Sequence, residues 1–385
     1  MPPYLAGRDE ETEEFKRLLR QDTILENMVL TGLRGTGKTV LLETFKPTAI
    51  SVGWLWAGAD LSESASVSED TVALRLMTDL AIVTSSMVVA AQEEPGFGFN
   101  PQRSVVEQKL NYDALIARYK LTPGLVADKL KRVLEDVWTE LKRRGAKGMV
   151  FAYDEAQNMS DHPHKEQYPL SLLLDVFQSI QRKGIPFMLA LTGLPTLFPK
   201  LVETRTFSER MFRVLFLDRL SDDASRDAIS KPIKAAAGCP VKLSDTLVNR
   251  IVNASAGYPY FIQFICREVY DVALQKLDRG QELMVPMNDI VRKLDADFFA
   301  GRWAKASDRQ RDLLRVIASL ENCDEEFTVH EVVQASKNLE KPFGASHVNQ
   351  MLAALGNAGL VYKNRHGKYS FAVPLLGQFI LRQSE

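Results

Sequence analysis

The residues whose types and spacing can do chemistry fall in two pairs, Lys38-Thr39 and Asp154-Glu155. The first pair closes the run Gly32-Leu33-Arg34-Gly35-Thr36-Gly37-Lys38-Thr39, which follows the short apolar stretch Val29-Leu30-Thr31. This is the spacing of a phosphate-binding loop between a buried strand and a helix. Its glycines let successive backbone N–H groups turn toward one phosphate, and the helix beginning near Lys38 adds its positive end. Lys38 is expected to reach the β and γ oxygens of ATP, and Thr39 to offer its hydroxyl to Mg²⁺. The second pair ends the apolar run Met149-Val150-Phe151-Ala152-Tyr153, read as a buried strand. Asp154 is then expected to hold the Mg²⁺ through water, and Glu155 to take a proton from the attacking water.

Two further positions complete the chemistry. Thr192 ends the apolar run Pro186–Leu191, where a polar side chain can hold the attacking water or sense the γ-phosphate. Arg205 and Arg210 follow at the edge of the same core, where a guanidinium can reach the γ-phosphate of a neighbouring subunit. Internal salt bridges are the competing use of these arginines, and the sequence leaves open which of the two would act. His162 and His164 lie in a polar, proline-containing loop and read as exposed side chains rather than metal ligands.

The elements that must position these groups follow from periodicity. Arg8–Leu19 carries acids early and bases late, as a helix dipole prefers, with Phe15, Leu18 and Leu19 on one side. Arg8 itself reads either as a nucleotide contact or as a solvated arginine. A short helix through Phe45 is expected after the loop, then a strand over Ser51–Ala57. A helix is expected over Val72–Ala91, with Leu74, Leu76, Met77 and Leu80 as its apolar side. Gln92–Pro101 breaks all periodicity and reads as a mobile insertion. Leu125–Arg144 is a strongly amphipathic helix with a basic outer face, and Leu170–Arg182 another helix. Val214–Leu217 begins the last strand of what reads as an α/β core with a parallel sheet.

Beyond the core the pattern is helical: Ser221 caps one helix, Leu243-Ser244-Asp245 starts a second, and Gly257-Tyr258-Pro259 opens a third, with Pro259 at a first-turn position. From Arg309 onward three helices and an alternating hairpin describe a winged helix. Its wing carries Lys363, Arg365 and Lys368, suited to DNA phosphates, whereas the third helix offers Ser346, His347, Asn349 and Gln350 but few bases. The expected division is 1–219 for the core, 220–300 for a helical lid and 301–385 for the winged helix. Length fits: 385 residues exceed one ordinary core.

Composition excludes several classes. A formal net charge of -1 gives no support to a nucleic-acid coat protein. Cys239, Cys266 and Cys323 are few and odd in number, which argues against a disulfide framework. The first residues lack the pattern of a signal peptide, and the apolar run Leu80–Ala91 is too short to span a bilayer, so a cytoplasmic protein with no membrane partner is expected, nucleoid-associated if it binds DNA.

With these motifs in place, the chain resembles the AAA+ ATPases, in particular the initiator-like and archaeal-type branch, related to signalling ATPases, that joins a core, a helical lid and a winged helix. Leu5–Glu10 resembles that branch's first nucleotide-contacting box, Gly32–Thr39 its Walker A motif, Val150–Glu155 its Walker B motif and Thr192 its first sensor. Ser208-Glu209-Arg210 resembles the segment bearing the arginine finger. Gly257-Tyr258-Pro259 resembles the Gly-x-Pro signature of signalling ATPases, which implies Pro259 as a further nucleotide contact. Tyr260 stands in the neighbourhood where origin-recognition proteins carry a second-sensor arginine. The resemblance implies ATP and Mg²⁺ as ligands, slow hydrolysis and nucleotide-dependent homo-oligomers. Its output is either double-stranded DNA held by the wing or a protein effector held by the same domain.

Overall fold

The computed structural model describes residues 4–94, 104–279, 285–365 and 367–383. They divide into two compact units: residues 10–31 with 39–216, and the segment ending at Asp9 with Gly32–Lys38 and the chain from Leu217 onward.

The first unit is built on a parallel sheet of five strands, β1 (Asn27–Thr31), β2 (Trp54–Asp60), β5 (Gly148–Asp154), β6 (Phe187–Gly193) and β7 (Phe212–Phe216), in the order β2-β5-β6-β1-β7. The three inner strands are buried at every position, as near-continuous apolar runs require when helices cover both faces of a sheet. Register aligns their carboxyl ends: Thr31 lies opposite Gly193, Leu30 opposite Thr192 and Tyr153 opposite Leu191. At the other end Asn27 and Gln181 exchange side-chain amide bonds of 3.2 and 2.8 Å, and Asn27 accepts from Leu189 N–H at 2.8 Å. This ties β1 to β6 and fixes the register that the carboxyl ends inherit. The helices of this unit are α1 (Asp9–Leu18), α2 (Lys38–Ser51), α3 (Glu69–Thr84), α4 (Tyr112–Leu121), α5 (Val126–Arg143), α6 (Pro169–Arg182), α7 (Leu197–Thr204) and α8 (Ser208–Met211).

Two elements differ from the sequence reading. Helix α2 runs to Ser51 through Pro47, so β2 starts at Trp54 rather than Ser51. Burial of Leu41, Leu42, Phe45 and Ala49 outweighs the roughly 3 kcal/mol that an interior proline costs, and Gly53, at φ +89°, ends the segment. Helix α3 stops at Thr84, and Val88–Glu94 (β3) and Ser104–Lys109 (β4) pair as an antiparallel ribbon. Ser85-Ser86 interrupts the helix, and Val88 and Val89 favour strand. Leu74 is 44% exposed, so the buried side of α3 is Val72, Ala73, Leu76, Met77 and Leu80. The insertion expected at Gln92–Pro101 lies outside the described residues from position 95.

In the second unit, α9 (Asp222–Ala235), α10 (Asp245–Ser255), α11 (Pro259–Asp278) and α12 (Met287–Leu294) enclose Ile229, Val248, Ile251, Ile265, Val269 and Ile290. Ser221 and Ser244 cap α9 and α10 as their sequence suggests, accepting from Ala224 and Leu247 N–H. A π-turn over Asp295–Phe299 leads from α12 into α13 (Ala300–Trp303). Helices α14 (Asp308–Ala318), α15 (Val329–Ala335) and α16 (Ala345–Asn357) then surround a three-stranded sheet, in which β10 (Lys368–Phe371) pairs antiparallel with β8 (Phe327–Thr328) and β9 (Val361–Arg365). This winged-helix arrangement buries Leu313, Ile317, Val348, Leu352 and Phe371. A last helix, α17 (Leu376–Arg382), was not apparent from the sequence. Its Arg382 binds Asp295 through two bonds of 2.9 and 2.6 Å.

Candidate functional site

Asp154 ends β5, fully inside the sheet's carboxyl edge and only 5% exposed. Its two oxygens accept from two hydroxyls, Oδ2 from Thr39 and Oδ1 from Thr192, and Oδ1 also accepts the N–H of Glu155 at 2.7 Å. The structure therefore brings together three residues that lie far apart in sequence. Thr192 is wholly buried and spends its hydroxyl on Asp154. Glu155 follows in the left-handed region, φ 52° and ψ 35°, which turns its side chain out of the strand's alternation. Its carboxylate accepts from Gln157 Nε2. Gln157 in turn accepts from Leu194 N–H at 3.1 Å, and its carbonyl accepts from Lys200 Nζ at 2.7 Å. Burial draws the Lys200 ammonium below its ordinary pKa, with Asp161 opposing. Tyr153, one residue before Asp154, donates to the buried Asp79 at 2.9 Å, and Arg75 holds the other side of that carboxylate at 2.7 Å. Burial still raises the Asp79 pKa above its ordinary value, and pushes that of Tyr153 well up.

The loop belongs to the second unit and is continuous in sequence with β1 on one side and Thr39 on the other. Gly35 and Gly37 have φ of +82° and +90°. A Cβ on Gly32 would lie 2.3 Å from the Leu217 carbonyl oxygen, so only glycine fits there. Lys38 Nζ donates to the carbonyls of Gly32 and Leu33 at 2.9 and 2.8 Å, and the Thr36 hydroxyl to Leu33 O at 2.9 Å. Arg8 is 7% exposed, which excludes the solvated alternative. It donates to the Thr36 carbonyl at 3.0 Å and to the Asp218 carbonyl at 2.6 Å, bracing the loop through its backbone. Pro259 packs beside Gly37, and Tyr260 N–H donates to Gly35 O at 3.1 Å, so the start of α11 is fastened to the loop.

Arg205 and Arg210 differ. Arg205 is held by Asp175 through bonds of 2.9 and 2.8 Å, whereas Arg210 is exposed on α8 with no ion pair among the described residues. The basic face of α5 is laced with acids: Arg132 pairs with Asp136, and Arg143 and Arg144 with Glu140. On the wing Lys363 is exposed and Lys368 half-buried. Arg365 ends β9, and its side chain lies outside the described part of the molecule. The wing strands themselves carry no acid, but two acids from another segment approach them. Glu326 accepts from Asn364, and Lys368 is among the charges that lower the Glu331 pKa, behind its bonds to Thr328. Ser346, His347, Asn349 and Gln350 all face outward on α16. Sequence reasoning assigned nothing to Gln157, Lys200 or Arg302. A Gln two residues after the acid pair was the available signal for the first; the others emerge only from packing.

These features define a parallel α/β core of AAA+ type joined to helices and a winged-helix-like domain. Solved structures are similar to this chain to differing degrees, and the first of those that follow shares its fold. The ORC2 protein of Aeropyrum pernix in its ADP form is 15% identical, with all of this chain and 96% of that one covered, at a TM-score of 0.54. The Aeropyrum pernix ORC1 protein in complex with DNA is 17% identical over all of this chain and 94% of its own, at 0.48. AMPPCP-bound DnaA from Aquifex aeolicus is 11% identical over 92% and 89%, at 0.40. Residues 296–380 match a family model described as a domain of unknown function, DUF8462. No curated protein matches the chain.

Proposed function

We propose that this protein is an ATP-binding and ATP-hydrolysing AAA+ ATPase that couples nucleotide state to self-assembly and to double-stranded DNA. The observation that carries the reading is the junction at Asp154: one carboxylate, bonded to Thr39 and Thr192, at the carboxyl ends of parallel strands where such sheets bind ligands. Thr39 directly follows the lysine of a glycine-rich loop, so phosphate-binding and acid groups meet through one peptide bond. The Thr39 hydroxyl and the Asp154 carboxylate are hard oxygen donors of the kind Mg²⁺ prefers. The described residues contain no cluster of three or more His, Cys, Asp or Glu fit for a metal, so the rest of the ion's shell would come from phosphate and water. Bound there, Mg²⁺ would neutralise developing phosphate charge.

The chain's own groups take distinct parts. Gly32, Leu33, Arg34, Gly35, Thr36 and Gly37 present backbone to the phosphates, Lys38 leaves its carbonyls for phosphate oxygens, and Pro259 bounds the nucleotide. Glu155, turned out of the strand, accepts a proton from water, and Thr192 orients Asp154. Arg210 is offered to a neighbouring copy, and Lys363, Arg365 and Lys368 to DNA phosphates. The division into core, lid and winged helix at 219 and 300 belongs to this reading, as does a cytoplasmic or nucleoid location. A second reading, in which the winged helix holds a protein effector, is favoured by the approach of Glu326 and Glu331 to the wing.

Equilibrium titration of a fluorescent ATP analogue with Mg²⁺ into the full chain tests the reading. Saturable binding that Lys38→Ala abolishes is expected, and a parent protein that binds no nucleotide would end it. Light scattering with ATP and Mg²⁺ tests assembly: a larger species that Arg210→Ala prevents is expected, and a strict monomer at every concentration would contradict it.

A further inference from the structure

The sheet unit carries a cleft at the end of its strands opposite Asp154. Trp54 pairs with Gly148 at the start of β2 and β5, and Asp60 pairs with Asp154 at their carboxyl ends. At about 3.3 Å per residue, roughly 20 Å of strand separates the two places. The cleft measures about 640 Å³, and every residue that lines it belongs to this one unit. Its walls come from the last turn of α1, the turn that follows, the last turn of α2 and the residue before β5. Buried Leu19 and Trp54 form its floor, and Val52 adds an apolar side chain that is 41% exposed. A Cβ on Gly148 would lie 2.6 Å from the Trp54 ring, so glycine at that position is what lets the indole lie flat there.

Charge and apolar surface are separated in this cleft. The polar groups of its inner part are spent on backbone. Trp54 Nε1 donates to the Leu19 carbonyl at 3.1 Å, and the Gln21 amide donates to the Leu18 and Glu26 carbonyls at 3.0 and 3.3 Å. The Thr48 and Ser51 hydroxyls donate to carbonyls of α2. The cations Lys16, Arg20 and Lys147 stand on the rim, against one lining acid, Asp22. Lys16 binds the exposed Glu13 at 2.7 Å, and Arg20 acts on the same carboxylate without reaching it. Arg20 and Lys147 make no ion pair among the described residues. A compact polyanion needs fixed donors around it, and this floor offers it none. An apolar side chain flanked by carboxylates matches floor and rim together.

We propose that this cleft docks a short acidic segment of a partner protein, with one apolar side chain seated against Leu19, Val52 and Trp54 and its flanking carboxylates facing Lys16, Arg20 and Lys147. The apolar anchor supplies most of the affinity, and the rim charges select acidic over basic segments. Long cationic stems can follow carboxylates on either side of the anchor without a fixed geometry, which suits a peptide. The inference stands apart from the nucleotide-binding reading, because no residue of the loop lines the cleft. Helix α2 begins at Lys38 and presents its last turn to the cleft, so the docked segment rests on an element that starts at the loop and leaves the carboxyl edge of the sheet open.

Fluorescence anisotropy of a labelled synthetic peptide, glutamates around one central leucine, titrated with the full chain tests it. Saturable binding is expected. The double variant Arg20→Ala with Lys147→Ala removes two exposed charges and should weaken it about 3- to 30-fold. Val52→Asp sets an acid among the incoming carboxylates and should abolish it. A peptide with serine in place of the leucine should bind the parent about tenfold more weakly. The three substituted side chains are exposed, and thermal unfolding of the variants at the parental temperature checks that the fold is kept. If Val52→Asp fails to fold, the double variant decides alone. A parent that does not bind the peptide would overturn the proposal. Equal affinity for the serine peptide would reduce it to bulk charge, and parental affinity in the folded variants would place the peptide elsewhere; either result overturns it. So would a single-stranded oligonucleotide that displaces the peptide at concentrations below the peptide's own Kd, which would assign the cleft to nucleic acid.

Discussion

Asp154 in the sheet unit and Arg302 in the other answer their charge in opposite ways. Asp154 is surrounded by neutral donors, two hydroxyls and a backbone N–H, so its negative charge is solvated by dipoles yet not cancelled. Arg302 is surrounded by neutral acceptors, a ring and a carbonyl, with a second cation nearby. A carboxylate held by hydroxyls can accept a cation by rotating their protons away. A guanidinium held by a ring can accept an anion without breaking an ion pair. The difference teaches that a charge held by neutral dipoles stays available to an ion of the opposite sign, whichever its sign.

That contrast can be broken most severely at the loop. Gly32→Ala forces a Cβ to within 2.3 Å of the Leu217 carbonyl, which requires backbone movement costing about 3 kcal/mol. Nucleotide affinity should fall about 100-fold in the titration described above, with the sheet unit's circular dichroism intact; unaltered affinity would show that the loop geometry does not serve phosphate. On the acid side, Asp154→Ala strands the buried Thr192 hydroxyl and should cost about 2 kcal/mol in thermal or denaturant unfolding. It should also remove the dependence of ATP affinity on Mg²⁺, which a comparison with EDTA reads directly.

Behind the acid side, Tyr153→Phe removes one bond to Asp79 and should cost about 1 kcal/mol of stability. The pH response has a definite sign. Asp79 has its folded pKa raised, so the folded state holds the proton more tightly than the unfolded chain. The contribution of this group to stability is therefore greatest below the unfolded value near 4 and declines as pH rises from there through the raised folded value. Denaturant unfolding of the parent and Asp79→Asn across this range should show the difference between them shrinking as the pH falls. The smallest effect is expected at the wing, where Lys363→Ala with Lys368→Ala should flatten the slope of log duplex affinity against log salt by about 2. An unchanged slope would favour the protein-effector reading, for which Glu326 and Glu331 provide neighbouring charge.

The sheet was legible because its inner strands have one environment: Met28, Val29 and Leu30, Met149–Tyr153 and Phe187–Leu191 are buried on both faces, so apolar runs identify them without alternation. The loop was legible because its glycine spacing answers a backbone need. Element ends were less so. Phe45 and Ala49 keep α2 going past a proline, which depends on what covers them, and Ser85-Ser86 could have continued a helix had Val88 not found a partner in β4. Side-chain partnerships across long separations escaped altogether. Nothing local says that Arg8 braces Thr36 or that Arg205 rather than Arg210 meets Asp175.

The most direct test of the account is multiple-turnover ATP hydrolysis by the parent and by Glu155→Gln, measured beside nucleotide affinity. Glutamine keeps the size of the side chain and a carbonyl oxygen but cannot accept a proton from water. The account predicts unchanged ATP binding with turnover reduced by about 10²- to 10⁴-fold, the contribution of a positioned general base. Hydrolysis by Glu155→Gln at the parental rate would contradict it.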